Sequence, residues 1–198
     1  MSSNFKAVKV TDSVYWVGAV DWGVRYFHGY STKSGTTYNA FLIMADKITL
    51  IDGVKHGFEK ELLERVASVV DPQRIDYIIS NHSEPDHSGT IPEIIKAVKP
   101  QKVFASKNGV KALKSHFGDM GVEITAVDDG GELSLGNRTL KFMETRMLHW
   151  PDSMFTYLVE EEVLFSQDAF GMHYASSERF DDEIPWTKLS EMSAEYYA

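Results

Sequence analysis

The stretch "YIISNHSEPDHSG", residues 77–89, runs a short apolar strand straight into His82, Glu84, Asp86 and His87. Four side chains able to bind a metal therefore fall within six positions. The following "SGTIPEIIKAVKP" reads as a helix closed by Pro100, so the cluster sits between a strand and a helix, where alternating layers open a ligand crevice. Any one such histidine is more often a loop or capping residue than a ligand; it is the density of four that carries the metal reading. Imidazole suits first-row transition metals and carboxylate suits harder ions, so this mixed set favours iron, manganese or zinc over calcium or magnesium. The chain has no cysteine, which excludes thiolate zinc sites, iron–sulfur clusters and disulfide scaffolds.

Upstream, "AVKVTDSVYWVGAV", "TTYNAFLIM" and "ITLIDG" are rich in branched and aromatic residues and are separated by turn-like segments, which predicts an antiparallel meander. "GFEKELLERVASVVDP" changes period: Phe58, Leu62, Val66, Val69 and Val70 share a helical face, and Asp71-Pro72 ends it. Downstream of the cluster, "KVFAS" predicts a strand and "KNGVKALKSHFGD" a helix. Strand, helix, strand and helix imply a parallel element in the middle of an α/β chain. The text then returns to strands and tight turns, with His149 after "LKFMETRM" and Asp168 after "VLFSQ", each at the end of a strand. A carboxylate placed between two metals can bridge them about 3.5 to 4 Å apart.

The tail "WTKLSEMSAEYYA" predicts a helix with Thr187 as its N-cap and Leu189, Met192, Tyr196 and Tyr197 on one face. It runs to Ala198 without a stop signal, which suggests an element cut partway. The 198 residues show no linker or repeat and are read as one domain, 1–198. Apolar and charged fractions of 43% and 25% are those of an ordinary globular protein. With a net charge of −9, no nucleic-acid or membrane partner is expected, because both recruit basic surfaces. No apolar leader or membrane-length run is present, so the cytoplasm is the expected compartment.

His82-x-Glu84-x-Asp86-His87 with distant His149 and Asp168 resembles the HxHxDH signature of the metallo-β-lactamase superfamily, with Glu84 where the second His stands. That replacement marks the flavodiiron branch, the rubredoxin:oxygen oxidoreductases and flavo-diiron nitric oxide reductases. The likeness continues through "DWGVRYFHGYSTKSGTTYNAFLI", "LHWPDSMFTYL" and "LFSQDAFGMHYAS" and covers nearly the whole chain. It implies a metallo-β-lactamase-like αββα four-layer sandwich, incomplete at the C-terminus, around a non-haem di-iron site. It further implies that His82, Glu84 and His149 hold one iron, Asp86 and His87 the other, and that Asp168 bridges them. His28 and one of Tyr196 or Tyr197 resemble residues that flank the centre.

The implied activity is reduction of O2 to water or NO to N2O, in a head-to-tail homodimer. Electrons would come through FMN, on a flavodoxin-like domain not present in this chain, from a rubredoxin-like donor. One further iron-binding His of the family pattern is absent from the 198 residues, so the second iron is expected to be weakly held here. His173 is expected to line the pocket, His116 to lie on a helix surface and His56 in an exposed turn. Two other functions fit parts of the pattern: a zinc-dependent hydrolase of the same superfamily, which Glu84 argues against, and a metal-free scaffold, which the filled ligand positions argue against.

Overall fold

A computed structural model describes residues 5–27 and 29–197. Its centre is a seven-stranded sheet whose spatial order follows the chain: Val8–Lys9, Val14–Trp16, Phe41–Ile43, Thr49–Ile51, Tyr77–Ser80, Lys102–Ser106 and Ile124–Val127. The first four strands pair antiparallel and the last four parallel. Strands joined by short turns become the meander, and strands separated by helices become the parallel part, because a parallel return needs a crossover. A four-stranded antiparallel sheet follows: Glu132–Ser134, Thr139–Glu144, Met154–Leu158 and Val163–Phe165. Two short hairpins, Ala19–Asp21 with Thr36–Tyr38 and Tyr26–Phe27 with Tyr30–Ser31, interrupt the meander.

Five α-helical segments complete the described residues: α1 (Glu59–Ala67), α2 (Pro85–Ser88), α3 (Ile91–Val98), α4 (Lys107–Phe117) and α5 (Trp186–Tyr197). Helix α1 carries acids in its first turn and Arg65 in its last, matching the helix dipole, and buries Leu62 and Val66. Helix α3 buries Ile91, Ile94, Ile95 and Val98, the spacing of a helix lying flat on a sheet. Helix α4 starts at Ser106, whose hydroxyl accepts from Gly109 N at 2.9 Å.

These three helices and one face of the large sheet share a core that includes Leu42, Leu50, Ile78 and Leu113. The other face, through Val14, Ile43, Ile51, Ile79 and Phe104, packs on Leu140, Phe142, Met154 and Leu158 of the small sheet. Helix, sheet and sheet are thus three of the four layers of the expected sandwich. The outer face of the small sheet leaves Met143 58% and Leu164 45% exposed.

Two details correct the sequence reading. The metal-ligand segment is not all loop, since Pro85–Ser88 forms one helical turn. Thr187 is not the N-cap of the last helix, which begins at Trp186. Pro185 O accepts from Lys188 N and Leu189 N, so Pro185 stands where the first helical carbonyl must be. Among the described residues no helix is long and apolar enough to cross a membrane.

Candidate metal centre

The ligand cluster starts where the buried strand Tyr77–Ser80 ends between two parallel neighbours. Asn81 fixes that end. Its backbone N and Nδ2 donate to Asp52 Oδ1 and Oδ2 at 2.7 and 3.0 Å, and its Oδ1 accepts from Thr156 Oγ1 at 2.6 Å. Asp52 holds this pose with φ of 58°, a left-handed conformation that aspartate tolerates better than most residues. Glu84 is extended, as a residue preceding proline is pushed to be, and Pro85 opens α2. The turn can close on itself only because residue 89 is glycine: a Cβ there would meet Pro85 O at 2.3 Å.

This local geometry sends His82 and Glu84 off the strand end and Asp86 and His87 off the helical turn. All four are less than 9% exposed. Two remote strand ends supply the rest, His149 after Thr139–Glu144 and Asp168 after Val163–Phe165. The outcome is two groups of converging donors. His82, Glu84, His149 and Asp168 each offer an atom within 4.8 Å of the others, and so do Asp86, His87 and Asp168. Asp168 belongs to both groups: its Oδ1 lies 2.7 Å from His87 Nε2, its Oδ2 3.1 Å from His149 Nε2 and 3.4 Å from His82 Nε2. Glu84 Oε2 lies 3.0 Å from His82 Nε2 and 2.9 Å from His149 Nε2.

The donors themselves favour protonated imidazoles. Burial opposes a charge on His82, but hydrogen bonds to Asp152 and Glu84 outweigh it and push its pKa up to about 9. For His87 burial is again outweighed, here by the charge of Asp86 and the Asp168 hydrogen bond, and its pKa rises. Burial opposes ionisation of Asp168, yet His87 holds that carboxyl well below the usual range. Asp86 is pushed up, chiefly by burial. A cation entering here must displace the imidazole protons, so metal uptake will release protons and strengthen as pH rises.

The donors fit a pair of transition-metal ions. Three imidazoles and three carboxylates, without sulfur, suit iron, manganese or zinc. Asp86 Oδ1 and His87 Nδ1 are buried without a hydrogen-bond partner among the described residues. Burying unpaired polar atoms is costly, and coordination at Asp86 would relieve part of that cost.

One face of the cluster is open. His149 is about half exposed, and a cavity of about 620 Å3 is lined by Glu84, His149, Trp150, Asp168, Tyr196 and Tyr197 among others. The two tyrosines therefore share a wall with the ligands. His28 lies outside the described residues. His173 lines a smaller cavity behind Tyr196 and joins neither donor group. His116 is an exposed residue of α4, and His56 lies in an exposed turn.

Sequence reasoning missed Asp152. It is 3% exposed, its Oδ2 lies 3.2 Å from His82 Nδ1, and it accepts from Ser83 N and Ser83 Oγ at 2.6 and 2.7 Å. That is the partner a metal-bound histidine needs on its second nitrogen to fix tautomer and ring angle. The "WPDS" turn after His149 was the available signal, but nothing in sequence links it to His82, 70 residues away. Asp152→Ala is expected to weaken metal binding by about 10- to 100-fold, the range for removing such a group. A chelator competition titration measures this; unchanged affinity would leave Asp152 with a purely structural role.

Comparison with known proteins adds four relationships. The family model described as "ODP family beta lactamase" matches residues 36–194. A nitric oxide reductase of Moorella thermoacetica is 46% identical over 193 residues, 96% of this chain and 48% of that protein. In three dimensions the chain is similar to the rubredoxin oxygen:oxidoreductase of Desulfovibrio gigas, with TM-score 0.94 and 49% identity, over 97% of this chain and 48% of that one. It is also similar to the flavodiiron protein of Giardia intestinalis, with TM-score 0.91 and 39% identity, over 94% and 46% of the two chains. The chain spans about half the length of the curated relatives it matches.

Proposed function

The chain belongs to the ODP β-lactamase family, and on that premise we propose that residues 1–198 form the metal-binding domain of a flavodiiron oxidoreductase reducing O2 to water or NO to N2O. The observation that carries this reading is the meeting of two donor groups at Asp168, with Glu84 in the first of them. Iron is the metal we assign, as His82, Glu84 and His149 for one ion, Asp86 and His87 for the other, and Asp168 shared. Two adjacent irons would supply Lewis acidity toward a diatomic oxide and a pair of electrons.

The residues of this chain prepare that chemistry. Glu84, Asp86 and Asp168 bring together three carboxylates, the first two buried, which would lower the cost of adding positive charge when the metals oxidise. Asp152 orients His82. Tyr196 and Tyr197 line the open side of the cavity.

Electrons in this proposal arrive from FMN and a rubredoxin-like donor, as the names of the relatives support. The head-to-tail homodimer and the cytoplasmic setting belong to the same proposal. The test is the intact protein prepared anaerobically with iron. About two irons per chain and donor-dependent consumption of O2 or NO are expected. An iron-loaded protein that consumes neither, or one that excludes iron in favour of zinc, would defeat it.

A further inference from the structure

Behind Tyr196 lies a second cavity, and it has the size and lining of a water site. Its volume is about 20 Å3, enough for one water molecule. Tyr196 lines both this space and the metal cavity, so one side chain is the wall between them. Thr32, 1% exposed, is part of the same lining, and its Oγ1 has no hydrogen-bond partner among the described residues. A buried hydroxyl in that state is costly unless a small polar molecule completes it.

His173 forms another part of the lining. Its Nδ1 lies 3.1 Å from Thr36 Oγ1, and its ring meets Tyr196 edge-on with centroids 5.2 Å apart. Phe27 packs against the ring from another side, at 5.5 Å. The remaining charged groups of the cavity are Lys33 and Glu195, paired at 3.6 Å and both solvent-exposed. Glu195, Lys33, Thr32, His173 and Tyr196 thus line one cavity, and Tyr196 also lines the metal cavity.

We propose that this cavity holds one ordered water, and that the water, His173 and Tyr196 form a proton path from solvent to the metal centre. The path rests on the proposed function, because the reduction consumes one proton for each electron delivered by the flavin-linked donor. Reducing O2 to two waters takes four of each. In each transfer the Tyr196 O–H bond breaks as an O–H bond forms on the substrate oxygen. The His173 imidazolium then returns a proton to the tyrosine, and the ordered water returns one to His173 from solvent. Imidazole is the side chain suited to this exchange near neutral pH.

Two readouts test the path on the intact protein. A crystal structure should show a water within hydrogen-bond distance of Thr32 Oγ1, lost in Thr32→Val and retained in Thr32→Ser. In the iron-loaded protein, His173→Gln should slow turnover by at least about tenfold, below the usual contribution of general acid–base groups. It should also enlarge the solvent deuterium isotope effect, with iron content and flavin reduction unchanged; Thr32→Val should follow it and Thr32→Ser restore the wild-type rate. Absence of the water, or a His173→Gln protein with the wild-type rate and isotope effect, overturns the path. If the wild-type protein reduces neither O2 nor NO, the proposed function fails and the path fails with it, while the crystallographic result still decides the water site.

Discussion

Replacing Asp168 with alanine will cut the metal content of the iron-loaded intact protein from two ions per chain to at most one. The reason is that one carboxylate serves both donor groups. Its Oδ1 faces His87 at 2.7 Å and its Oδ2 faces His149 and His82 at 3.1 and 3.4 Å. Without it the first group keeps His82, Glu84 and His149, while the second is left, among the described residues, with Asp86 and His87. Two ligands from adjacent positions cannot hold a divalent ion against water and chelators. Removing a group one step away from a metal already costs about 10- to 100-fold in affinity or activity, so losing the shared ligand should cost more than about 100-fold in turnover. Folding is the weaker concern, since Asp168 is partly exposed and lies past the end of the strand Val163–Phe165 rather than within it. Elemental analysis after gel filtration, with circular dichroism to confirm the fold, reads the result. Two tightly held irons in the Asp168→Ala protein would remove Asp168 from its bridging role.

The cluster 82–87 was legible in the sequence because its geometry is short-range. A strand end followed by proline and a helical turn leaves few ways to point four side chains, and those ways converge. His149 and Asp168 were legible for a related reason, as polar residues at the ends of apolar strands. What holds these ligands in place was not legible. Asp152 reaches His82 across 70 positions and Asp52 reaches Asn81 across 29, contacts created by sheet pairing and by packing one sheet on the other. The error at Thr187 has the opposite origin. Threonine near a helix start is a good N-cap, but proline at 185 already set the backbone that supplies the first helical carbonyl. The parallel element in the middle of the chain was legible through period and connection length, since α1 and α3 each present an apolar stripe, whereas the layer order came from the resemblance.

Glu84 is the position at which iron chemistry and zinc chemistry part, and Glu84→His is expected to move the centre toward zinc. Glu84 is 3% exposed and its Oε2 sits between two imidazoles, 3.0 Å from His82 Nε2 and 2.9 Å from His149 Nε2. Histidine there would convert the local set from two imidazoles and two carboxylates to three imidazoles and one. One negative charge is lost beside the metal of the first donor group. At a separation of ~4 Å and an effective dielectric constant of ~20, a unit charge contributes ~4 kcal/mol per unit of opposing charge. A loss of that size bears most on the oxidised pair, whose extra positive charge the carboxylates offset. It bears less on zinc, which changes no charge. The backbone should accept the change, because residue 84 is extended ahead of Pro85, a conformation open to histidine. Loading the apo-protein anaerobically with equal ferrous iron and zinc should show the zinc-to-iron ratio rising at least about tenfold, the equivalent of ~1.4 kcal/mol. O2 or NO reduction by the intact iron-loaded variant should fall by at least about 100-fold. If Glu84→His keeps both the wild-type metal ratio and the wild-type turnover, the carboxylate at this position does not set the chemistry, and the zinc hydrolase reading regains its standing.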